Sequence, residues 1–397
     1  MTKSLSAKNM NISTSVTLAI TAKAKKMKAE GIDVVSFGAG EPDFKTPKHI
    51  SDAAIVAIEK GLTGYTDSSG LPELKKAICD KLLKDNHLSY TPEQIVVSNG
   101  AKHSLFNALQ AICNPGDEVI VPNPYWVSYP ELVKLADATP VLVETPESND
   151  FKYDISTLEA AITPKTKAII VNSPNNPTGT VYTKSDLAEI AKLAIKHDFY
   201  VISDEIYEEL IYEGEHISIA SLGDEIKELA IVVNGMSKAY AMTGWRIGYT
   251  ASGKEIAQIM KNIQSHATSN PNTIAQYASI EALKGDKSAI EEMKAAFIAR
   301  RDYMVDKINA IPNLSCRKPE GAFYVMVNIS KLFGKVFNGK EITNSVDFAE
   351  YLLDAFKVAV IPGAGFGSDD YVRLSYATSL DNIKEGLRRI EEAVTLA

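Results

Sequence analysis

The run Ala168-Ile169-Ile170-Val171-Asn172-Ser173-Pro174-Asn175-Asn176-Pro177-Thr178-Gly179 opens on four apolar residues and closes on turn formers. An unbroken apolar stretch, without alternation, suits a strand covered on both faces. Downstream, Lys184 to His197 has helical spacing, with Leu187, Ile190, Ala191 and Ala194 in register and Thr183 placed as N-cap. Tyr200-Val201-Ile202 then reads as another buried strand and runs into Ser203-Asp204-Glu205-Ile206-Tyr207. Strand, helix and strand in this order predict an α/β unit built on a mainly parallel sheet.

Outward from this segment the texture continues. Gln94-Ile95-Val96-Val97, Glu118-Val119-Ile120-Val121, Val141-Leu142-Val143 and Ile231-Val232-Val233 are strand-like, and Ala101 to Ile112 carries apolar residues at 101, 105, 108, 109 and 112. After about residue 285 the pattern changes. Residues 287 to 310 predict one long amphipathic helix with Ile290, Met293, Phe297, Met304 and Ile308 on its apolar stripe. Shorter strands follow at Phe323 to Val327, Val358 to Ile361 and Val372 to Leu374. The fold class expected is α/β: a large domain over 46–285, with a mainly parallel sheet flanked by helices, and a smaller α+β domain from 1–45 and 286–397.

Bulk properties narrow the function. The chain has 397 residues, a formal net charge of -8 and 23% charged residues of both signs. That balance argues against a general nucleic-acid-binding role, which shows a basic face. Cys79, Cys113 and Cys316 are far apart and form no CxxC pair, a set that fits a reducing compartment. Met1, Thr2 and Lys3 open no apolar leader. The best early stretch, Val16 to Ile20, is interrupted by Thr17 and followed by Lys23, Lys25 and Lys26. No window approaches a membrane span, so the expectation is a cytoplasmic protein without membrane partners.

Polar clusters sit directly after the buried strands. Ser98-Asn99-Gly100-Ala101-Lys102 follows one, Asn172 to Gly179 another, Ser203 to Tyr207 a third and Asn234-Gly235-Met236-Ser237-Lys238 a fourth. Each alone also reads as a turn with a helix cap. In an open parallel sheet, however, ligands bind beyond the carboxyl ends of the strands, so four clusters on that edge predict one shared site. Gly100 and Ala101, at the start of a helix, suit an anion cradle of backbone N–H groups.

Several motifs then carry a resemblance. Gly235-Met236-Ser237-Lys238-Ala239-Tyr240-Ala241-Met242-Thr243-Gly244-Trp245-Arg246-Ile247-Gly248 resembles the cofactor-lysine signature of class I aminotransferases. Asn176-Pro177-Thr178-Gly179, Asp204-Glu205-Ile206-Tyr207, Gly38 to Phe44, Asn123-Pro124-Tyr125-Trp126 and Val372-Arg373-Leu374-Ser375 are similar to that family's motifs, in its order. The likeness covers nearly the whole chain and is nearest to the bacterial aspartate aminotransferase subgroup, of fold type I.

The resemblance implies pyridoxal 5'-phosphate as cofactor, with Lys238 carrying it as a Schiff base and moving the proton at the substrate Cα. It implies Asp204 at the pyridine nitrogen, Tyr207 and Asn176 at the phenolic oxygen and Trp126 against the ring. The phosphate falls to the Gly100 and Ala101 N–H groups, Ser237, Arg246 and, from a second subunit, Tyr65. A homodimer with shared active sites is therefore expected. Arg373 would clamp the substrate α-carboxylate, helped by Asn176 and the Gly40 backbone, and Lys102 would read the distal carboxylate. The loops Gly38 to Phe44 and Pro362 to Gly367 would close over small-molecule amino acids and 2-oxo acids.

Departures and rivals belong beside this reading. Gly235 stands where some relatives place a phosphate-binding serine, and Ser265 to Asn272 holds no arginine for a distal carboxylate. Gly363 to Ser368 superficially resembles a dinucleotide loop but precedes a strand-like run where a helix is needed. His49, His87, His197 and His216 read as surface or cap residues, His103 belongs to the phosphate-loop helix, and the histidines lack metal-ligand spacing. The favoured activity is aspartate to 2-oxoglutarate transamination. The rivals are an aromatic or prephenate aminotransferase, a β/γ-lyase of the same fold, and a non-catalytic cofactor-binding regulator.

Overall fold

The apolar runs become seven strands: β1 Ile95–Ser98, β2 Glu118–Asn123, β3 Thr139–Glu144, β4 Thr166–Asn172, β5 Tyr200–Asp204, β6 Ala230–Gly235 and β7 Gly248–Ala251. In this computed structural model, which describes residues 4–13, 16–337 and 339–395, they form one sheet in the order β1-β7-β6-β5-β4-β2-β3. Strands β2 to β6 pair in parallel. Only β7 is reversed, antiparallel to both β1 and β6. It is also the strand the apolar pattern does not announce, because Gly248-Tyr249-Thr250-Ala251 has no β-branched apolar run.

Alternate residues of each strand feed opposite cores, as the period of two requires. Val97, Ile169, Val171, Val201 and Val232 meet Leu74, Ile78, Leu187 and Ile190 on one face. Val96, Val119, Ile170, Ile202 and Ile231 meet Leu105, Leu109 and Met260 on the other. Each such side chain contributes roughly 1.5–3 kcal/mol by leaving water. The helix α1, Ala101–Ile112, has the expected bounds. So does α2, Lys184–His197, where Thr183 and Asp186 form a reciprocal capping box.

The later segment builds a third core. The helix Ser288–Ala310 buries Ile290, Met293, Phe297, Met304 and Ile308. It packs over an antiparallel sheet in which Tyr324–Asn328 lies between Tyr371–Ser375 and Ser315–Cys316. Val35–Ser36 pairs in parallel with Val358–Ala359, which brings the early segment to this core. Gly363–Phe366 is a single 3-10 turn leading into Tyr371–Ser375, so no helix follows that glycine run. Among the described residues no helix is long and apolar enough to cross a membrane. Met1, Thr2 and Lys3, on which the leader reading rests, lie outside the described residues.

Candidate active site

Five parallel strands and β1 end on the same edge, and there the chain encloses a cavity of about 730 Å³. Gly40, Ala101, Lys102, Trp126, Asn176, Asp204, Tyr207, Ser237, Lys238, Arg246 and Arg373 all line it. Residues separated by more than 300 positions thus reach one space, because the sheet edge gathers the strand ends and Tyr371–Ser375 supplies Arg373.

At the floor, Asp204 closes β5 and is almost fully buried. Tyr129 donates to its Oδ2 at 2.7 Å and the Ile206 N–H reaches Oδ1 at 3.3 Å. Burial pushes this carboxyl up to about 6, with the Tyr129 hydrogen bond opposing. Lys238 follows β6, and its Nζ donates to the Gly40 carbonyl at 2.5 Å. Burial pushes its ammonium down to about 8, so roughly a tenth of it is neutral at pH 7, far more than for an ordinary lysine. Tyr207 meets Tyr324 hydroxyl to hydroxyl at 3.1 Å.

The opposite end of the cavity is built for an anion. Gly100 is the N-cap of α1, with φ 88°, and no side chain caps this helix. Its first N–H groups therefore lack the usual internal partner. A Cβ on Gly100 would meet Arg246 Nη2 at 2.2 Å, and one on Gly248 would meet the Ala101 nitrogen at 2.2 Å. Gly248 is required by the close backbone approach of β7 to the helix start, and Gly100 by its positive φ. Arg246 lies in no strand, although Ile247 and Gly248 after it are buried. It is exposed and left-handed at φ 57°, after the turn Thr243–Trp245, with Gly244 also exposed. Its guanidinium is held by the Thr243 and Asn99 carbonyls at 2.8 and 3.3 Å.

Arg373 is buried between the rings of Tyr324 and Phe366, 4.3 and 4.8 Å from their centroids. Its Nη1 donates to Asn176 Oδ1 at 3.0 Å, while its Nε has no partner. Asn176 is fixed in turn by its own N–H on Asn172 Oδ1. Lys102 Nζ lies 4.9 Å from the Trp126 ring centroid. Burial, then repulsion from Arg246, lowers its proton affinity.

Three expectations need correction or relocation. Tyr65 does not line this cavity and is 94% exposed. Gly235 is no missing donor: a Cβ there would meet the Ile247 carbonyl at 2.7 Å and Gly248 Cα at 2.8 Å, so close backbone packing demands glycine. His216 is neither surface nor cap; its side chain is 10% exposed and bonds to Glu205 at 3.0 Å. Tyr129 and Tyr324 were not singled out in sequence. Each is a lone hydroxyl on an apolar element, and only its burial with a polar partner marks it.

Comparison with known proteins decides the family. The description "Aminotransferase class I and II" matches residues 32–390. The chain belongs to the class I and II aminotransferases. It is 51% identical over 381 residues to an aspartate aminotransferase of Bacillus sp. (strain YM-2), covering 96% of each chain. It is 46% identical to the aspartate/prephenate aminotransferase of Thermus thermophilus, covering 94% of each. The Thermus thermophilus aspartate aminotransferase solved with maleate superposes with a TM-score of 0.94 at 44% identity, covering 99% of this chain and 100% of that one.

This aminotransferase is a pyridoxal-phosphate-dependent enzyme of fold type I, acting on amino and 2-oxo acids. The cavity fits that cofactor. It offers an uncapped helix start and an arginine for a phosphate, a buried carboxylate for a ring cation, and a lysine of lowered proton affinity for an aldehyde. Covalent capture needs the neutral amine. Because the Lys238 ammonium is pushed down to about 8, capture of added cofactor by the apoprotein is expected to accelerate as pH rises through that value. Stopped-flow absorbance checks this, and a rate that ignores pH there would contradict the lowered value.

Proposed function

We propose that this aminotransferase moves the amino group of L-aspartate to 2-oxoglutarate, giving oxaloacetate and L-glutamate in two half-reactions. One observation carries the reading: besides Lys238, the cavity gathers Arg246, Arg373 and Lys102, with Lys25 and Lys28 also on its lining. Arg246, with the Ala101 N–H group and Ser237, answers the cofactor phosphate, whereas the Gly100 N–H expected to join them donates to the Ser98 carbonyl at 2.8 Å. Arg373 answers the α-carboxylate that every amino acid carries. Lys102, 4.9 Å from the Trp126 ring centroid, is the cation we assign to a second, distal carboxylate.

Pyridoxal phosphate, when bound, supplies an electron sink for the charge that develops at the substrate Cα. The protein does the rest. Asp204, held by Tyr129, pairs its carboxylate with the ring nitrogen and keeps that nitrogen protonated. Tyr207 and Asn176 would donate to the phenolic oxygen, and Trp126, also on the lining, would pack against the ring. Lys238 would hold the cofactor aldehyde through its neutral amine and, when free, would serve as the base for the proton at the substrate Cα. Arg373 holds the α-carboxylate in a planar fork, fixing the Cα–H bond relative to Lys238, with Asn176 and the Gly40 backbone assisting. The names of the Bacillus relative and the maleate in the Thermus structure support a dicarboxylic substrate. Prephenate, also a dianion, is the second reading, favoured by the same three cations and by the name of the Thermus relative.

The deciding experiment is the absorption spectrum of the holoenzyme. A visible band that bleaches with L-aspartate and returns with 2-oxoglutarate is the expected result. A band unmoved by aspartate would overturn the aspartate reading, and a matched panel of oxo acids including prephenate then locates the acceptor. Lys102→Gln is expected to lower kcat/KM for aspartate by roughly 10–100-fold, the worth of a charged hydrogen bond, with neutral donors changed by less than about twofold. Equal losses for both donor types in steady-state assays would remove Lys102 from substrate selection.

We further propose a homodimer in which Tyr65 completes the phosphate site of its partner. Its 94% exposure supports this, as do Ile55, Val56 and Ile58, exposed on the helix Lys48–Glu59. An active species at the 43.2 kDa chain mass in light scattering would defeat it. The division into 46–285 and into 1–45 with 286–397 is supported by the separate cores. A cytoplasmic setting is supported by the three free thiols.

A further inference from the structure

Behind the turn that carries Asp204 and Tyr207 lies a second group of charges, which the proposed chemistry does not touch. The turn alternates. Asp204 and Tyr207 line the cavity, whereas Glu205 and Glu208 point away from it and are buried. Glu205 Oε1 accepts from Ser203 at 2.8 Å and Ser218 at 2.6 Å, and its Oε2 lies 3.0 Å from His216 Nε2. Glu208 accepts from Lys81, from Asn86 Nδ2 at 2.8 Å and from Asn234 Nδ2 at 2.6 Å. The same His216 Nε2 is 3.8 Å from Glu208 Oε2.

Two buried carboxylates are tolerated only with matching positive charge. Lys81, itself buried on the helix Pro72–Asn86, supplies one. The remaining group in contact is His216. Its Nε2 faces carboxylate oxygens only, so that nitrogen carries a hydrogen, and its buried Nδ1 has no partner in either charge state. The charge of Glu205 and Glu208 therefore decides the ring's protonation, and it raises the proton affinity of His216 against the opposing effect of burial. Tyr90, Tyr240 and Tyr249 also face the cluster, and burial keeps them as neutral phenols; Glu209, beside Lys81 and Glu208, has its own cation in Lys287 at 2.9 Å, which Asp85 shares at 3.0 Å. Glu205, Glu208 and His216 place three donor atoms within 4.8 Å of one another. The Lys81 ammonium already sits on Glu208, however, so the cation here is the protein's own.

We propose that His216 is a positioning residue: as an imidazolium it completes, with Lys81, Glu205 and Glu208, a neutral four-charge cluster that fixes the 204–208 turn and shields Asp204 from its acidic neighbours. The adjacency is direct, because the charge of Glu205 is one of the influences that raise Asp204. A cluster left at net -1 makes the cavity floor more negative and raises the proton affinity of groups bound there. One left at net +1 does the reverse. The inference rests on the assignment of Lys238 and Asp204 to the cofactor.

Charge-swapped variants of the holoenzyme test it. His216→Gln leaves the cluster at net -1, Glu205→Gln leaves it at net +1, and the double variant restores neutrality. The pH midpoint of the visible band is expected to move up in the first and down in the second, each on the order of half a pH unit. In the double variant it is expected to return towards wild type. A merely packing role gives no opposed shifts and no return, so shifts in one direction, or none, overturn the proposal. Where a single variant fails to fold, histidine-selective nitrogen NMR of the wild-type holoenzyme serves, with resonances assigned through variants of the other five histidines. An imidazolium at His216 persisting above the ordinary histidine range is expected, and a neutral ring at neutral pH overturns the idea. Absence of any band in wild type refutes the cofactor assignment itself, whereas a normal band indifferent to these variants refutes only the cluster's role.

Discussion

Lys238→Ala is expected to reduce turnover by roughly 10⁴-fold or more, because it removes both the covalent anchor and the group that moves the Cα proton. Steady-state and single-turnover kinetics measure the loss. The absorption of the bound cofactor should then no longer be that of the lysine-linked form. Folding is expected to survive. Among the described residues Lys238 has the Gly40 carbonyl as its hydrogen-bond partner, and burial lowers its proton affinity, so its removal relieves a desolvated amine. Small exogenous amines should restore part of the rate, since they supply the missing base without the tether. A loss of less than about tenfold would mean that another group moves the proton.

Arg373→Ala is expected to lower kcat/KM by roughly 10²–10⁴-fold, the range for truncating one partner of a buried charged pair. Unlike the loss at Lys102, this one should fall equally on acidic and neutral donors, because every amino acid presents the α-carboxylate. Arg373→Lys should recover only part of it, as a point charge cannot reproduce a planar fork. Thermal stability is expected to hold or rise. The guanidinium is buried with its Nε unpaired, and such a charge costs folding energy until substrate arrives. A change in kcat/KM confined to dicarboxylic donors would reassign Arg373 to the distal carboxylate.

Much of this was legible in the residues because buried parallel strands leave unbroken apolar runs, and their ends must then be polar. The bounds of Ala101–Ile112 and Lys184–His197 followed from helical spacing, and the Thr183 cap from its position before it. What escaped depends on contacts between distant segments. Gly248–Ala251 pairs on both sides but has too little apolar character to declare itself. Gly235 looks like a lost donor until Ile247 and Gly248 are seen against it. His216, in the polar stretch Glu213-Gly214-Glu215-His216, has the local signature of a surface residue; only the return of that stretch to the 204–208 turn buries it. Tyr129 and Tyr324 are read as packing until Asp204 and Tyr207 appear at their hydroxyls.

The reversed strand β7 has a consequence for how the protein grips its cofactor. A parallel successor to β6 would need a crossover of a dozen or more residues to the far edge of the sheet and back. Reversal lets the chain return on the same edge without crossing the sheet, so Lys238 and Arg246 belong to one loop, 236–247, between β6 and β7. The proposed covalent and phosphate anchors thus travel as a single cassette, clamped at its base by the β6–β7 ladder. A circular permutant opened at Ser252-Gly253, just beyond that ladder, would keep the cassette whole and should still take up cofactor. One opened inside it, between Tyr240 and Thr243, would divide the grip between two chain ends.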